Sequence, residues 1–300
     1  MHSGLYYQPG SLKAKLAVES IQDLNNFCRT HEIDHEICGK IVVASTDDQL
    51  ATLDELPDRG KRNGLTGLTF LNPTEIKQRK PHLAAKKALL VPQESIVSYK
   101  AVMLKLVELI QQVGSRVHFN SKIETVHNRT GGSINLKSEG QEWVFDRLVN
   151  CAGLYSDRTF QKFTGQKRPL RIVPFRGEYL MLKPEASSLV NHLIYPVPDI
   201  NFPFLGVHFT RLVGEEREVG PNAVLAFKLE GYTNLDFSLI DTLDSITYAG
   251  LLQFMRKNFS FALGEFSSSL FMSSFIAKAK VLIPEINESM LVKGTAGVRA

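Results

Sequence analysis

The chain has 300 residues, 43% of them hydrophobic and 22% charged, an ordinary globular composition with enough apolar material for one large core or two interleaved ones. A formal charge of +4, from 35 basic against 31 acidic residues without a long basic run, excludes a nucleic-acid footprint and suits a small anionic ligand. The three cysteines, Cys28, Cys38 and Cys151, form neither a CxxC pair nor an even framework, so the chain reads as intracellular. No apolar run reaches the roughly 18 residues of a bilayer span, which leaves peripheral membrane contact at most.

Residues 11–31 place Leu12, Leu16, Ile21, Leu24 and Phe27 near helical spacing, with Ser11 as N-cap after Pro9 and Gly10. At the exit of that helix, His31-Glu32-Ile33-Asp34-His35 matches the zinc pattern H-E-x-x-H. The match is set aside, because Ile33-Asp34 do not extend a helix able to hold both imidazoles, and no metal is expected. Residues 39–44, GKIVVA, read as a strand and residues 47–63 as a helix. Pro73 opens a short third helix, and residues 99–113 form a fourth. Residues 115–119, 122–127, 134–137 and 143–150 read as consecutive strands, turned at Gly131-Gly132 and Gly140. The last runs into VNCAG, small residues that let a ligand approach the backbone, before a helix start near Tyr155.

Residues 171–227 set Arg176, Tyr195, His208 and Asn222 among strand-forming apolar residues. An unpaired guanidinium at Arg176 would cost several kcal/mol to bury, so it has a partner, and a substrate anion is one candidate. In LGVHFT, alternation puts Val207 and Phe209 on one side and His208 on the other, where an imidazole serves either structure or proton transfer. Residues 238–257 and 267–280 return to helical spacing. Neither a P-loop nor a nucleophile elbow appears. Helices alternating with strands in one half, beside a mainly antiparallel other half, give an α/β (α+β) fold.

In combination and order, HSGLYYQPGSLKAKLAVES, CGKIVVAS, VNCAGLYSDR, IVPFRGEYLMLKP, IYPVPD, FPFLGVHFT, GPNAVLAFKLEGY and GTAGVRA resemble the FAD-dependent L-2-hydroxyglutarate dehydrogenases and oxidases of the D-amino-acid oxidase-like flavoprotein superfamily. The resemblance implies an FAD-binding Rossmann-like domain, incomplete here, interleaved with a mainly antiparallel β-sheet substrate domain flanked by helices. Residues 1–35, 96–170 and 281–300 would belong to the first, and residues 36–95 and 171–280 to the second. It implies oxidation of (S)-2-hydroxyglutarate, a small dicarboxylic hydroxy acid, to 2-oxoglutarate. Hydride passes from C2 to FAD and the hydroxyl proton to a base, and oxygen or a quinone takes the electrons, in a bacterial cytoplasm or a mitochondrion. Family members open with a G-x-G-x-x-G unit of about 30 residues and continue past GVRA. The expectation is therefore a fragment that binds FAD poorly, with an inactive fragment retaining a hydroxy-acid binding fold as the alternative.

By the same resemblance, Arg299 in GVRA matches the arginine that related oxidases keep on the substrate carboxylate, which a guanidinium fork suits by its two parallel donors. Arg176, Tyr195 and Asn222 are further substrate-binding candidates, and His208 is favoured over His2 as the catalytic base. His2, Ser3 and Gly4 match the loop beside the flavin ring, Cys151, Ala152 and Gly153 a strand end that approaches FAD, and Ile123 the position whose backbone meets the adenine.

Overall fold

In the computed structural model, which describes residues 1–128, 132–198 and 206–300, the Ser11 hydroxyl accepts from the Ala14 amide at 3.2 Å and starts α1 (Leu12–Thr30). Glu32 then takes a left-handed φ of 54°, which ends the helix, and His35 lies in β1 (His35–Glu36). The two imidazoles of HEIDH therefore share no helix face. Next come β2 (Lys40–Ala44), α2 (Asp48–Arg62), β3 (Thr69–Leu71), α3 (Pro73–Arg79), β4 (Lys87–Val91), β5 (Ile96–Val97) and α4 (Tyr99–Gln112). Asn72 and Glu75 close a capping box at the start of α3, with Pro73 at its first turn.

The middle of the chain departs from the sequence reading. The strands found are β6 (Thr125–Asn128), β7 (Ile134–Ser138) and β8 (Gln141–Phe145), so residues 115–119 form none and the expected strand 143–150 stops at Phe145. A strand exists only with a ladder partner. Among the described residues neither segment has one, and Phe119 and Val149 are exposed. The chain continues through α5 (Ser156–Thr164), β9 (Phe175–Leu182), β10 (Leu193–Pro196), β11 (His208–Arg211), β12 (Arg217–Gly220), β13 (Val224–Leu225), α6 (Leu239–Ile246), α7 (Ala249–Lys257), α8 (Phe259–Leu270), α9 (Met272–Lys280) and β14 (Leu291–Arg299). Tyr248 and Phe271, both extended, divide what the spacing reads as longer helices.

The chain folds as two compact units, residues 1–106, 177–223 and 263–296 in one and residues 107–176, 224–262 and 297–300 in the other. In unit 1 the strand order is β9-β12-β11-β10-β2-β4-β3, and β14 also pairs with β9. Along that order the pairing is antiparallel except where β10 runs parallel to β2. Its central strand β2 is buried on both faces. Ile41 and Val43 join Ile194, Phe209 and Val219 against Ile76 of α3 and Phe275, Ile276 and Ala279 of α9, while Val42 and Ala44 pack with Leu53 and Leu56 of α2 and with Leu5. Each such large side chain contributes about 1.5–3 kcal/mol on burial.

Unit 2 contains the antiparallel meander β6-β7-β8 and an ion-pair network around α5 and α6. There Arg168 donates to Asp244 at 2.8 Å and to Asp157 at 3.0 Å, and Arg158 donates to Asp244 at 3.2 Å.

Close approach to backbone fixes Gly294 in unit 1. A Cβ at Gly294 would lie 2.8 Å from the Tyr179 carbonyl oxygen, backbone that cannot rotate away, whereas one at Gly297 would meet nothing within 4 Å. Gly294→Ala is expected to cost about 1–3 kcal/mol by overpacking, and Gly297→Ala to leave the melting temperature nearly unchanged. Equal shifts in thermal unfolding would refute this packing account.

Candidate functional site

Strand alternation places Lys40 on the same face of β2 as Val42, and the parallel register of Lys40 with Leu193 and Val42 with Tyr195 carries that face onto β10. The Lys40 ammonium is 1% exposed and needs an anion. It donates to Glu94 Oε1 at 2.7 Å. Glu94, 0% exposed, follows β4 and is steadied by the Gly39 amide donating to its carbonyl oxygen at 2.9 Å. The same Oε1 accepts from the Ser3 hydroxyl at 2.7 Å and the Ser3 amide at 3.0 Å, and Oε2 faces His2 Nδ1 at 3.2 Å. Burial alone would push the Glu94 carboxyl up. The Lys40 charge and the bonds from His2 and Lys40 outweigh it and hold the group well below the usual carboxylate range.

Aromatic rings enclose this pair. The Lys40 ammonium lies 4.6 Å from the Tyr6 ring centroid and 5.2 Å from that of Tyr195, within cation–π range. Tyr195 stacks on His208 at 3.9 Å and 22°, and meets His2 edge-on at 5.9 Å and 77°. Burial raises the Tyr195 phenol despite Lys40, and burial together with Glu94 raises Tyr6, so both stay protonated at neutral pH. His208 Nδ1 is 2.9 Å from the Gly206 carbonyl oxygen. A carbonyl only accepts, so Nδ1 carries hydrogen and Nε2 holds the lone pair of the neutral ring. Val207 and Phe209 face the apolar core on the other side, as alternation requires.

Unit 1 thus brings His2, Ser3, Tyr195 and His208 together around a buried ion pair that sequence reasoning passed over. The available signal was Lys40 itself, a lone cation heading an apolar strand, which demands a buried acid as surely as Arg176 demands a partner. Gly4, with φ of 81° and a virtual Cβ 3.0 Å from that of Ala17, lets the N-terminal loop lie close to α1.

Two residues expected to bind substrate have partners inside the chain. Asn222, 1% exposed, accepts from the Glu178 amide at 2.8 Å and donates to Glu178 Oε2 at 2.6 Å, so both ends of its amide hold β9. Asn222→Ala is expected to lower stability by about 1–3 kcal/mol while leaving the KM for substrate unchanged. A raised KM at unchanged melting temperature would restore Asn222 to the substrate. In unit 2, the buried Arg176 guanidinium donates to the Thr233 carbonyl at 2.6 Å and to Asn234 Oδ1. Acceptors of the chain answer part of a demand that the sequence alone left open to a substrate anion.

The other candidates are also in unit 2. Ile123 is half-buried just before β6, Arg299 is exposed at the end of β14, and Cys151, Ala152 and Gly153 are exposed where a loop enters the 3-10 turn Gly153–Tyr155, rather than at a strand end. A large planar group that approaches backbone needs a stretch free of protruding side chains. Gly153, with φ of 54° and nothing within 4 Å of a virtual Cβ, provides it, and the segment fits a flavin nucleotide in that respect. Of the N-terminal loop, the His2 ring is 58% exposed and open to such a group, whereas Ser3 is committed to Glu94.

A family profile described as DAO, FAD dependent oxidoreductase, matches residues 1–269. L-2-hydroxyglutarate dehydrogenase of Indibacter alkaliphilus is 43% identical over 300 residues, which cover 100% of this chain and 75% of that protein. The mitochondrial L-2-hydroxyglutarate dehydrogenase of Homo sapiens is 40% identical over 311 residues, covering 100% and 67%. Among solved structures, the FAD-bound, dithionite-reduced L-alpha-glycerophosphate oxidase of Mycoplasma pneumoniae superposes with a TM-score of 0.75 at 16% identity, over 99% of this chain and 70% of that one. That likeness shows the fold.

Proposed function

The chain belongs to the FAD dependent oxidoreductase family, and on that premise we propose that it oxidises L-2-hydroxyglutarate, the (S)-enantiomer, to 2-oxoglutarate. The observation that carries this reading is the match, over the whole of this chain and 75% and 67% of theirs, to proteins named for that activity. FAD, when bound, supplies the acceptor for the hydride leaving C2. His2, Gly4, Ile123, Cys151, Ala152 and Gly153 are proposed to line it, with Ser3 and Glu94 behind His2.

His208 takes the hydroxyl proton at Nε2, with its ring set by the Gly206 carbonyl and the Tyr195 face. Tyr195, kept neutral, is the proposed donor that orients the hydroxy acid, and Arg299 the proposed carboxylate ligand. Arg176 and Asn222 are assigned to holding the 233–234 segment and β9. Oxygen or a quinone is the proposed electron acceptor. No helix among the described residues is long and apolar enough to cross a membrane, and the proposed compartment, bacterial cytoplasm or mitochondrion, follows the relatives.

Purified protein supplied with FAD in large excess, as the expected weak binding requires, and an artificial acceptor dye is expected to form 2-oxoglutarate from (S)-2-hydroxyglutarate and none from the (R)-enantiomer. Turnover of another hydroxy acid, with none of this one, would replace the substrate assignment.

A further inference from the structure

A second concentration of positive charge lies on the opposite face of the unit 1 sheet. Arg211 and Arg217 are directly opposed across β11 and β12. Extending the antiparallel register of Ile194 with Phe209 by two residues sets His192 opposite Arg211. The three cationic or titratable side chains form one row across adjacent strands, at the roughly 5 Å spacing of facing residues. The row is in phase with Ile194, Phe209 and Val219 of the apolar core and out of phase with Tyr195 and His208. Lys80, just beyond α3 and 7% exposed, brings its ammonium into contact with His192 Nδ1.

Like charges facing each other destabilise a sheet, and the chain compensates these only in part. Glu36 accepts from both terminal nitrogens of Arg211 at 2.7 and 2.5 Å, and Glu215 acts on Arg217. Arg217 otherwise donates to the carbonyls of Val190 at 2.5 Å and Glu216 at 2.9 Å. Among the described residues Lys80 forms no ion pair, and the buried Arg211 Nε has no hydrogen-bond partner. Burial, with the Arg79 and Arg211 charges, brings the Lys80 ammonium down to about 8, and burial with the Lys80 charge lowers His192. Among the described residues only Arg211 of these four holds an ion pair, so the donors outnumber the anions that reach them.

We propose that Lys80, His192, Arg211 and Arg217 form a binding site for a doubly charged oxyanion of the phosphate class. The donors come from two strands, the residue that enters a third and a helix end, so the ligand has to present oxygens in several directions. A tetrahedral phosphate does this, whereas a planar carboxylate suits a single fork such as the one Arg211 already gives Glu36. The site stands independently of the reaction assigned above.

Thermal unfolding of the full chain in sodium phosphate, against sodium chloride at matched ionic strength, tests it. Phosphate alone is expected to raise the melting temperature in a saturable way, because a ligand held only by the folded state stabilises by mass action. Lys80→Met is expected to raise the melting temperature in phosphate-free buffer, by relieving like-charge repulsion, and to weaken phosphate binding at least tenfold. A structural lysine would give the opposite sign. Arg217→Gln, measured by isothermal titration calorimetry with inorganic phosphate, is expected to weaken binding to the same degree and serves if the first variant does not fold. Glycerol 3-phosphate in a parallel titration separates the sources: tighter binding of the ester names a phosphate ester, and tighter binding of inorganic phosphate the free ion. Equal stabilisation by chloride, or an unchanged phosphate response in both variants, overturns the proposal.

Discussion

Glu94→Gln is expected to destabilise unit 1 by about 3–5 kcal/mol, the cost of leaving the Lys40 ammonium buried without its counter-charge. Neither partner is reached by water, with side-chain exposures of 1% for Lys40 and 0% for Glu94. The double variant Lys40→Met, Glu94→Gln removes both charges and is expected to recover much of the loss, since a buried pair is nearly neutral as a unit while either half alone is costly. Denaturant unfolding of the two single variants and the double variant closes the cycle. A loss below about 1 kcal/mol for Glu94→Gln would show that the pair is not what organises this region.

The same pair sets a pH dependence whose sign follows from linkage. Glu94 has a lower pKa folded than unfolded, so the unfolded chain binds more protons across the interval between the two values. Its stabilisation is complete above the unfolded value of about 4.3 and is lost as pH falls through the lower folded value. Wild-type stability is therefore expected to fall more steeply than that of Glu94→Gln on acidification below about pH 5.

His208→Gln is expected to lower kcat for (S)-2-hydroxyglutarate by about 10²- to 10⁴-fold, the usual contribution of a positioned general base, with little change in substrate binding. The ring contacts give this variant a structural side, since His208 stacks on Tyr195 at 3.9 Å. Thermal unfolding of the same preparation separates the two effects. A variant that melts like wild type and retains more than a tenth of its rate would transfer the proton to another group, with His2 next in line.

Much of the fold was legible where the physics is local. Ser11 and Pro73 mark helix starts by local chemistry that needs only a few consecutive residues. The alternation in LGVHFT sends Phe209 to the core and His208 to the other face without reference to any distant segment. The strand readings failed where partners had to be supplied from elsewhere. Residues 115–119 and 147–150 are apolar enough for a sheet, yet without a neighbouring strand among the described residues their backbones form no ladder. The site was legible in its residue types and obscure in its pairings. Arg176 was recognised as a side chain that needs a partner, but Thr233 and Asn234 could not be named as those partners, nor Glu178 as the partner of Asn222.

The sequence by itself determined the mixed α/β class, the helix starts, the phase of His208 on its strand, and the likeness to flavin-dependent L-2-hydroxyglutarate oxidoreductases. Each rests on local periodicity, capping or the identity of ordered segments. Only the tertiary structure decided that Lys40 and Glu94, 54 residues apart, share one hydrogen bond, that Asn222 is taken up by Glu178, and that His192, Arg211 and Arg217 form a row with Lys80 at its edge. Such contacts depend on register between strands and on which loop folds over which face. A one-residue slip of a strand would move Lys40, Arg211 or Arg217 to the other side of the sheet, and no single segment carries that information.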